Sequence, residues 1–209
     1  MKVNEIFFSI QGEGLQTGYP TVFVRFTGCN LRCGYCDTSY AYYEGVEMSV
    51  EQVVSRVKGY GCKRVCLTGG EPLLQPDFQG LLTALKGYTV SIETNGSIPL
   101  NRFCLLAGQT YVLDIKSPSS GQLGEMYLPN LAFLRDEDEI KFVLGDREDY
   151  LWCRGFLSQY YKRGNITLSP VFGKIDPELM VEWILEDRLE VRFQLQLHKL
   201  IYDPERRGV

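Results

Sequence analysis

Short β-branched and aromatic runs recur at 21–26, 64–67, 89–93, 111–115, 139–144, 166–168 and 191–197, each bounded by polar or glycine-bearing segments, and each predicts a strand. In the first of them Val22, Val24 and Phe26 share one face, while Phe23 and Arg25 share the other with Thr27. Between several runs the period lengthens to that of a helix. Ser49 and Gln52 form a capping box, with Val50, Val53, Val54 and Val57 on one helical face. Asp77 caps a second helix bearing Phe78, Leu81, Leu82 and Leu85, and Asp176-Pro177 opens a third with Met180, Trp183 and Ile184. Alternation of this kind implies βα units and a mostly parallel sheet, an α/β fold.

Parallel sheets bind ligands beyond the carboxyl ends of their strands. Those positions are polar and glycine-rich here: Thr27-Gly28-Cys29, Thr68-Gly69-Gly70-Glu71, Thr94-Asn95-Gly96, Lys116-Ser117 and Ser169-Pro170. The segment 117–129 reads as a flexible loop.

Composition narrows the partners. A length of 209 residues predicts one domain, 1–209, large enough to fold around its own core without a metal or disulfide staple. No apolar run approaches the ~20 residues of a membrane span. A net charge of -4 lacks the basic field of a protein that tracks phosphates, so neither membrane nor nucleic acid is expected as a direct partner. The N-terminal segment lacks a secretory pattern, which predicts a cytoplasmic protein. Seven cysteines in a reducing compartment then suggest metal binding or catalysis for those that cluster and packing for the rest.

Cys29, Cys33 and Cys36 form such a cluster, C-x3-C-x2-C, in a loop after the first predicted parallel strand. Soft thiolates select zinc or an iron–sulfur centre over hard cations. Structural zinc wants four closed ligands, the fourth here coming from Cys62, Cys66, Cys104, Cys153 or the lone His198. A [4Fe–4S] cluster held by three cysteines leaves one iron open. Spacing alone leaves both centres standing.

The loop, with Tyr35 before its last cysteine, resembles the signature of radical S-adenosylmethionine enzymes, and Gly69-Gly70-Glu71-Pro72 looks like the segment of that superfamily that takes the cofactor's methionine amino group. Within the superfamily the chain is similar, end to end, to the lyases that convert 6-carboxy-5,6,7,8-tetrahydropterin to 7-carboxy-7-deazaguanine with loss of ammonia, on the route to queuosine. The supporting segments are 8–14, 25–29, 36–38, 93–96, 114–118 and 197–199. The resemblance implies an incomplete, shortened parallel (β/α) barrel, a [4Fe–4S] cluster, S-adenosylmethionine and Mg2+, a reductant such as flavodoxin or ferredoxin, and a homodimer.

It also implies a set of site residues. The pterin falls to Ile10, Gln11, Gly12 and Glu13, to Arg25 through the substrate carboxylate, and to Thr68, His198 and the carboxylate of Val209. The cofactor falls to Tyr35, Gly70, Glu71, Asn95, Lys116, Ser117 and Pro118, and to Ser169, Pro170, Val171 and Phe172. The cluster falls to Cys29, Cys33 and Cys36, and Mg2+ to Thr38. No side chain is singled out as catalytic. Glu71 is expected to be an unpaired carboxylate facing the ligand ammonium, and His198 to lie on an alternating face with Gln194 and Gln196. Each residue also has a bland reading: a solvated strand arginine, a turn glycine, a cap at Asp37 or Thr38, a satisfied histidine. Two other functions fit parts of the pattern. One is an activase that acts on a glycyl-radical or ribonucleotide-reducing protein, and the other is a zinc-stabilised interaction module.

Overall fold

The computed structural model describes residues 1–161 and 164–209. Its elements run β1 (Lys2–Ile10), β2 (Pro20–Phe26), β3 (Val46–Glu47), α1 (Val50–Gly59), β4 (Arg64–Gly69), α2 (Phe78–Ala84), β5 (Thr89–Thr94), β6 (Gln109–Asp114) and β7 (Glu139–Leu144), then α3 (Arg147–Tyr160), β8 (Asn165–Pro170), α4 (Pro177–Glu186), β9 (Arg192–Phe193) and α5 (Leu197–Ile201). Among the described residues one sheet holds nine strands, in the order β3-β1-β2-β4-β5-β6-β7-β8-β9. From β2 onward every pairing is parallel, whereas β1 runs antiparallel to β2 and β3 antiparallel to β1. The two end strands do not pair, so the sheet is the open, incomplete (β/α) barrel that the resemblance implies. No helix among the described residues is long and apolar enough to cross a membrane.

Strand alternation divides the sheet into two chemically distinct faces. One presents Val22, Val24, Phe26, Leu67, Ile92, Leu113, Phe142 and Leu168, all fully buried in the main core with the apolar faces of α1 to α4. Truncating one such side chain to Ala typically costs about 2–5 kcal/mol. The opposite face carries Arg25, Thr68, Glu93, Asp114, Glu139, Lys141, Thr167 and Ser169, with a small apolar patch of Phe7, Phe23 and Cys66. Register puts Arg25 beside Thr68, Asp114 beside Lys141, and Lys141 beside Thr167.

The α1 capping box forms as expected, each of Ser49 and Gln52 accepting from the other's backbone N–H. Asp77 occupies the N-cap of α2, but in a left-handed conformation with φ 57° and without a side-chain capping bond. Helix α3 is absent from the sequence expectations; its many polar residues weaken the apolar period, and Asp146 starts it by accepting from the Asp149 N–H. The expected flexible loop at 117–129 is instead a chain of 3-10 turns, at Pro118–Ser120, Leu123–Glu125 and Leu128–Ala132. The expected strand at 191–197 shrinks to Arg192–Phe193, and Leu197 begins α5. His198 therefore sits on a helical turn, not on an alternating strand face.

Candidate active site

The cysteine loop leaves the end of β2 and is stapled to its neighbours by backbone groups. Gly28 donates to the Ala41 carbonyl at 2.9 Å, the Glu71 N–H donates to the Gly28 carbonyl at 2.8 Å, and Gly34 donates to the Ser120 carbonyl at 3.0 Å. Leu31, 1% exposed, anchors the loop in the protein interior. Cys29, Cys33 and Cys36 remain free and half-buried. Burial pushes the Cys29 and Cys33 thiols up, with Lys116 acting against it in both. The Asn95 amide lies 3.6 Å from Cys29 Sγ, and the Tyr35 hydroxyl donates to the Val143 carbonyl at 3.1 Å.

The turn after β4 packs directly on this loop. A Cβ at Gly70 would stand 1.9 Å from the Gly28 carbonyl oxygen, so only glycine permits the approach. Glu71 departs from expectation: its carboxylate is fully buried and accepts from Leu73 N at 3.0 Å, Thr94 Oγ1 at 2.8 Å and Asn95 N at 2.7 Å. Burial pushes its carboxyl up to about 7, and these neutral donors pull the other way. Glu71 thus locks the turns after β4 and β5 together and is not an open carboxylate.

Arg25 faces the polar side as expected, but it already has an anion. Its Nε donates to Glu5 Oε1 at 2.8 Å, and its guanidinium lies 5.8 Å from the ring centres of both Phe7 and Tyr40. Thr68 donates to Glu93 at 3.2 Å, and Gln11 donates to the same carboxylate at 3.2 Å. Glu13 is held from two sides, by Lys141 Nζ at 2.7 Å and by the Gln196 amide at 2.9 Å. Burial opposes its charge, but Lys141 and then His198 outweigh it and bring the carboxyl down to about 2. Gly12 lies under α5: Leu197 N–H donates to its carbonyl at 3.0 Å, and a Cβ there would meet His198 Nδ1 at 2.3 Å. His198 and the 11–13 turn are thus brought together.

At the far strands Lys116 pairs with Asp114 at 2.9 Å. The buried Asp149 carboxylate accepts from Ser117 Oγ and Ser119 N, each at 2.9 Å, and from Gly145 N at 2.7 Å, fixing the loop that carries Lys116, Ser117 and the exposed Pro118. Among the described residues, Asp114 Oδ1 and Ser169 Oγ are buried and find no hydrogen-bond partner. Pro170, Val171 and Phe172 line a cavity of about 440 Å³ together with Lys174, Gln196 and Leu200. Thr38 Oγ1 lies 3.8 Å from Cys36 Sγ, and Asp37 pairs with Lys199 of α5 at 2.7 Å. Val209 lines a second cavity, of about 360 Å³, with Ser9, Ile10, Pro20 and Tyr202; neither Glu13 nor Lys141 borders it.

Glu93, Asp114, Lys141, Asp149 and Gln196 were not expected as individual site residues. The first three carry a local signal, because each is a charged residue alternating with buried apolar positions of its strand, a placement that burial makes expensive without a partner, although the partners of Glu93 and Lys141 are not local. Asp149 and Gln196 carry no comparable signal, since their partners are distant in sequence.

The donor set fits a cluster. Among the described residues no group of three or more His, Cys, Asp or Glu is arranged to hold a metal ion. A cubane, however, takes one thiolate per iron, so three free cysteines on one loop suit it. Two buried polar atoms without partners and a close-packed glycine turn provide surfaces for a polar nucleotide cofactor beside it.

Comparison with known proteins agrees. The radical SAM superfamily pattern matches residues 23–121. The chain is 41% identical to the 7-carboxy-7-deazaguanine synthase of Chlorobaculum tepidum, over 100% of this chain and 97% of that protein. It is also 41% identical to the enzyme of the same name from Clostridium acetobutylicum, over 100% and 99%. The fold matches the crystal structure of QueE from Escherichia coli with a TM-score of 0.76, at 23% identity and covering 94% of each chain.

Proposed function

The chain belongs to the 7-carboxy-7-deazaguanine synthase family within the radical SAM superfamily, and on that footing we propose that its substrate and cofactor meet on the polar face of the sheet. The enzyme is a radical lyase that converts 6-carboxy-5,6,7,8-tetrahydropterin to 7-carboxy-7-deazaguanine with release of ammonia. When bound, the reduced cluster and S-adenosylmethionine supply abstraction of a hydrogen atom from the pterin C6.

The protein's part is placement and exclusion. Cys29, Cys33 and Cys36 hold the cluster. The Gly69-Gly70 backbone and Asn95, set by Glu71, receive the cofactor's methionine end, with Tyr35 adjoining. Lys116, Ser117 and Pro118, together with Ser169 to Phe172, receive the nucleoside. The unpartnered Asp114 Oδ1 and Ser169 Oγ support this side of the reading. Gln11, Gly12, Glu13 and Thr68 read the pterin ring, and His198 closes on them from α5. Arg25 takes the substrate carboxylate by sharing its guanidinium, whose Nε is engaged by Glu5 while its other nitrogens remain available.

Thr38 contributes one oxygen to Mg2+, which the substrate completes. The chain works as a single domain whose C-terminal segment, Val209 included, closes over substrate. It acts as a homodimer and takes electrons from a flavodoxin or ferredoxin.

The observation that carries the proposal is the set of three free, half-buried thiols on a loop locked against the Gly70 turn. Anaerobic reconstitution followed by reduction with S-adenosylmethionine and the carboxypterin tests it. Product should form with the native chain, and Cys33→Ala should lower turnover below detection along with its iron and sulfide content. Intact substrate despite a full cluster and reductant would overturn it.

A further inference from the structure

Among the described residues, the seven parallel strands of the sheet bury one lysine, Lys141, on their polar face at the centre of β7. Its ammonium is 2.7 Å from Glu13 Oε2, and the other acidic groups that face it are Glu93 of β5, Asp114 of β6 and the neighbouring Glu139. The other charged or titratable group acting on Glu13 is His198 of α5. Asp114 has Lys116 and Glu139 has Thr167, so Glu13 is the carboxylate that Lys141 engages directly. Gln196 fixes the second oxygen of Glu13 but brings no charge.

We propose that Lys141 is a positioning residue for pterin recognition, holding Glu13 ionised and aimed so that its carboxylate can accept from the substrate's ring N–H groups. The inference rests on the reading of Glu13 as a substrate contact. An acceptor for two N–H groups must be a carboxylate, since a protonated acid presents a donor where the ligand also has one. A largely desolvated carboxyl in the turn after β1 would, without a cation, be pushed toward taking up a proton instead. Lys141 arrives from β7, 128 residues away, so the charge of the recognition turn is set by the opposite part of the sheet.

The test titrates 6-carboxypterin, an oxidised analogue with no C6 hydrogen to lose, into the reconstituted holoenzyme and follows its fluorescence. Lys141→Met should weaken binding by about 10- to 100-fold at neutral pH, the scale of a charge-assisted hydrogen bond. Relative to the native enzyme measured over the same range, the loss should deepen as pH falls from 8 to 6. Lys141→Arg should restore most of the affinity. In a Glu13→Gln background, Lys141→Met should add little. Iron content and S-adenosylmethionine affinity report the integrity of each variant, and Lys141→Gln substitutes if the Met variant does not fold.

Native-like affinity in Lys141→Met, or fully additive losses in the double variant, would overturn the inference while leaving Glu13 as a contact. Native-like affinity in Glu13→Gln would instead remove Glu13 from substrate binding, and the role of Lys141 with it.

Discussion

Two glutamate turns, Gly12-Glu13-Gly14 after β1 and Gly70-Glu71-Pro72 after β4, draw one carboxyl largely and the other wholly out of solvent and leave them with opposite charge preferences. Glu13 meets a cation directly and is held down to about 2; Glu71 has neutral donors as its hydrogen-bond partners, and burial carries it up to about 7. The local sequences are nearly alike. What separates them is the partner delivered by the rest of the fold, a buried lysine in one case and two backbone N–H groups with a threonine hydroxyl in the other. One turn is built to keep a charge available, the other to tie two loops together.

The contrast can be broken most forcefully at Glu13. Glu13→Ala leaves Lys141 buried without its direct counter-ion and should lower unfolding free energy by about 3–5 kcal/mol in urea titrations of the apo chain. Glu71→Ala strands three donors in the interior; part of that loss is recovered if water enters, so about 2–3 kcal/mol is expected by the same measurement.

The pH dependence should separate the two turns by sign. Glu71 binds its proton more tightly when folded, so its contribution is fully present below about 4.5 and is lost as pH rises towards 7. Glu13 binds its proton less tightly when folded, so its contribution is present above about 4.5 and lost as pH falls towards 2. Stability profiles of Glu71→Gln and Glu13→Gln should therefore flatten on opposite sides, each by at most about 1.4 kcal/mol per pH unit. A shared direction of change would erase the distinction. The smallest effect is expected from Thr94→Val, which removes one donor to Glu71; about 1 kcal/mol of stability should be lost, and the Glu71 titration followed by NMR should move further upward.

Much of this was legible in the chain itself. Strand alternation at Val22 to Phe26 and the cap at Ser49 are local properties, and both appear where expected. The cysteine spacing and the Gly69-Gly70-Glu71 turn were readable because chemistry demands those residue types close together. Arg25 was placed on the right face, but its pairing with Glu5 depends on the antiparallel hairpin register of β1 and β2. Lys141 escaped notice because its neighbours Ile140 and Phe142 make β7 look like an ordinary buried strand, and the partner that explains it lies across the sheet. The unpaired state expected of Glu71 failed for the same reason: Thr94 and Asn95 come from the next strand. Local patterns predict elements and candidate groups; long-range pairing decides their charge and their freedom.

The segment from Gln194 to Arg207 reaches back to the beginning of the chain, with Gln194 bonded to Gly14, Lys199 to Asp37 and Arg207 to Glu44. Closing loops of that length is entropically slow, and during synthesis the N-terminal half emerges first. The turn at Gly12 to Gly14 must therefore wait for its partners until the distal helix is released from the ribosome, so its packing is among the last contacts a newborn copy acquires.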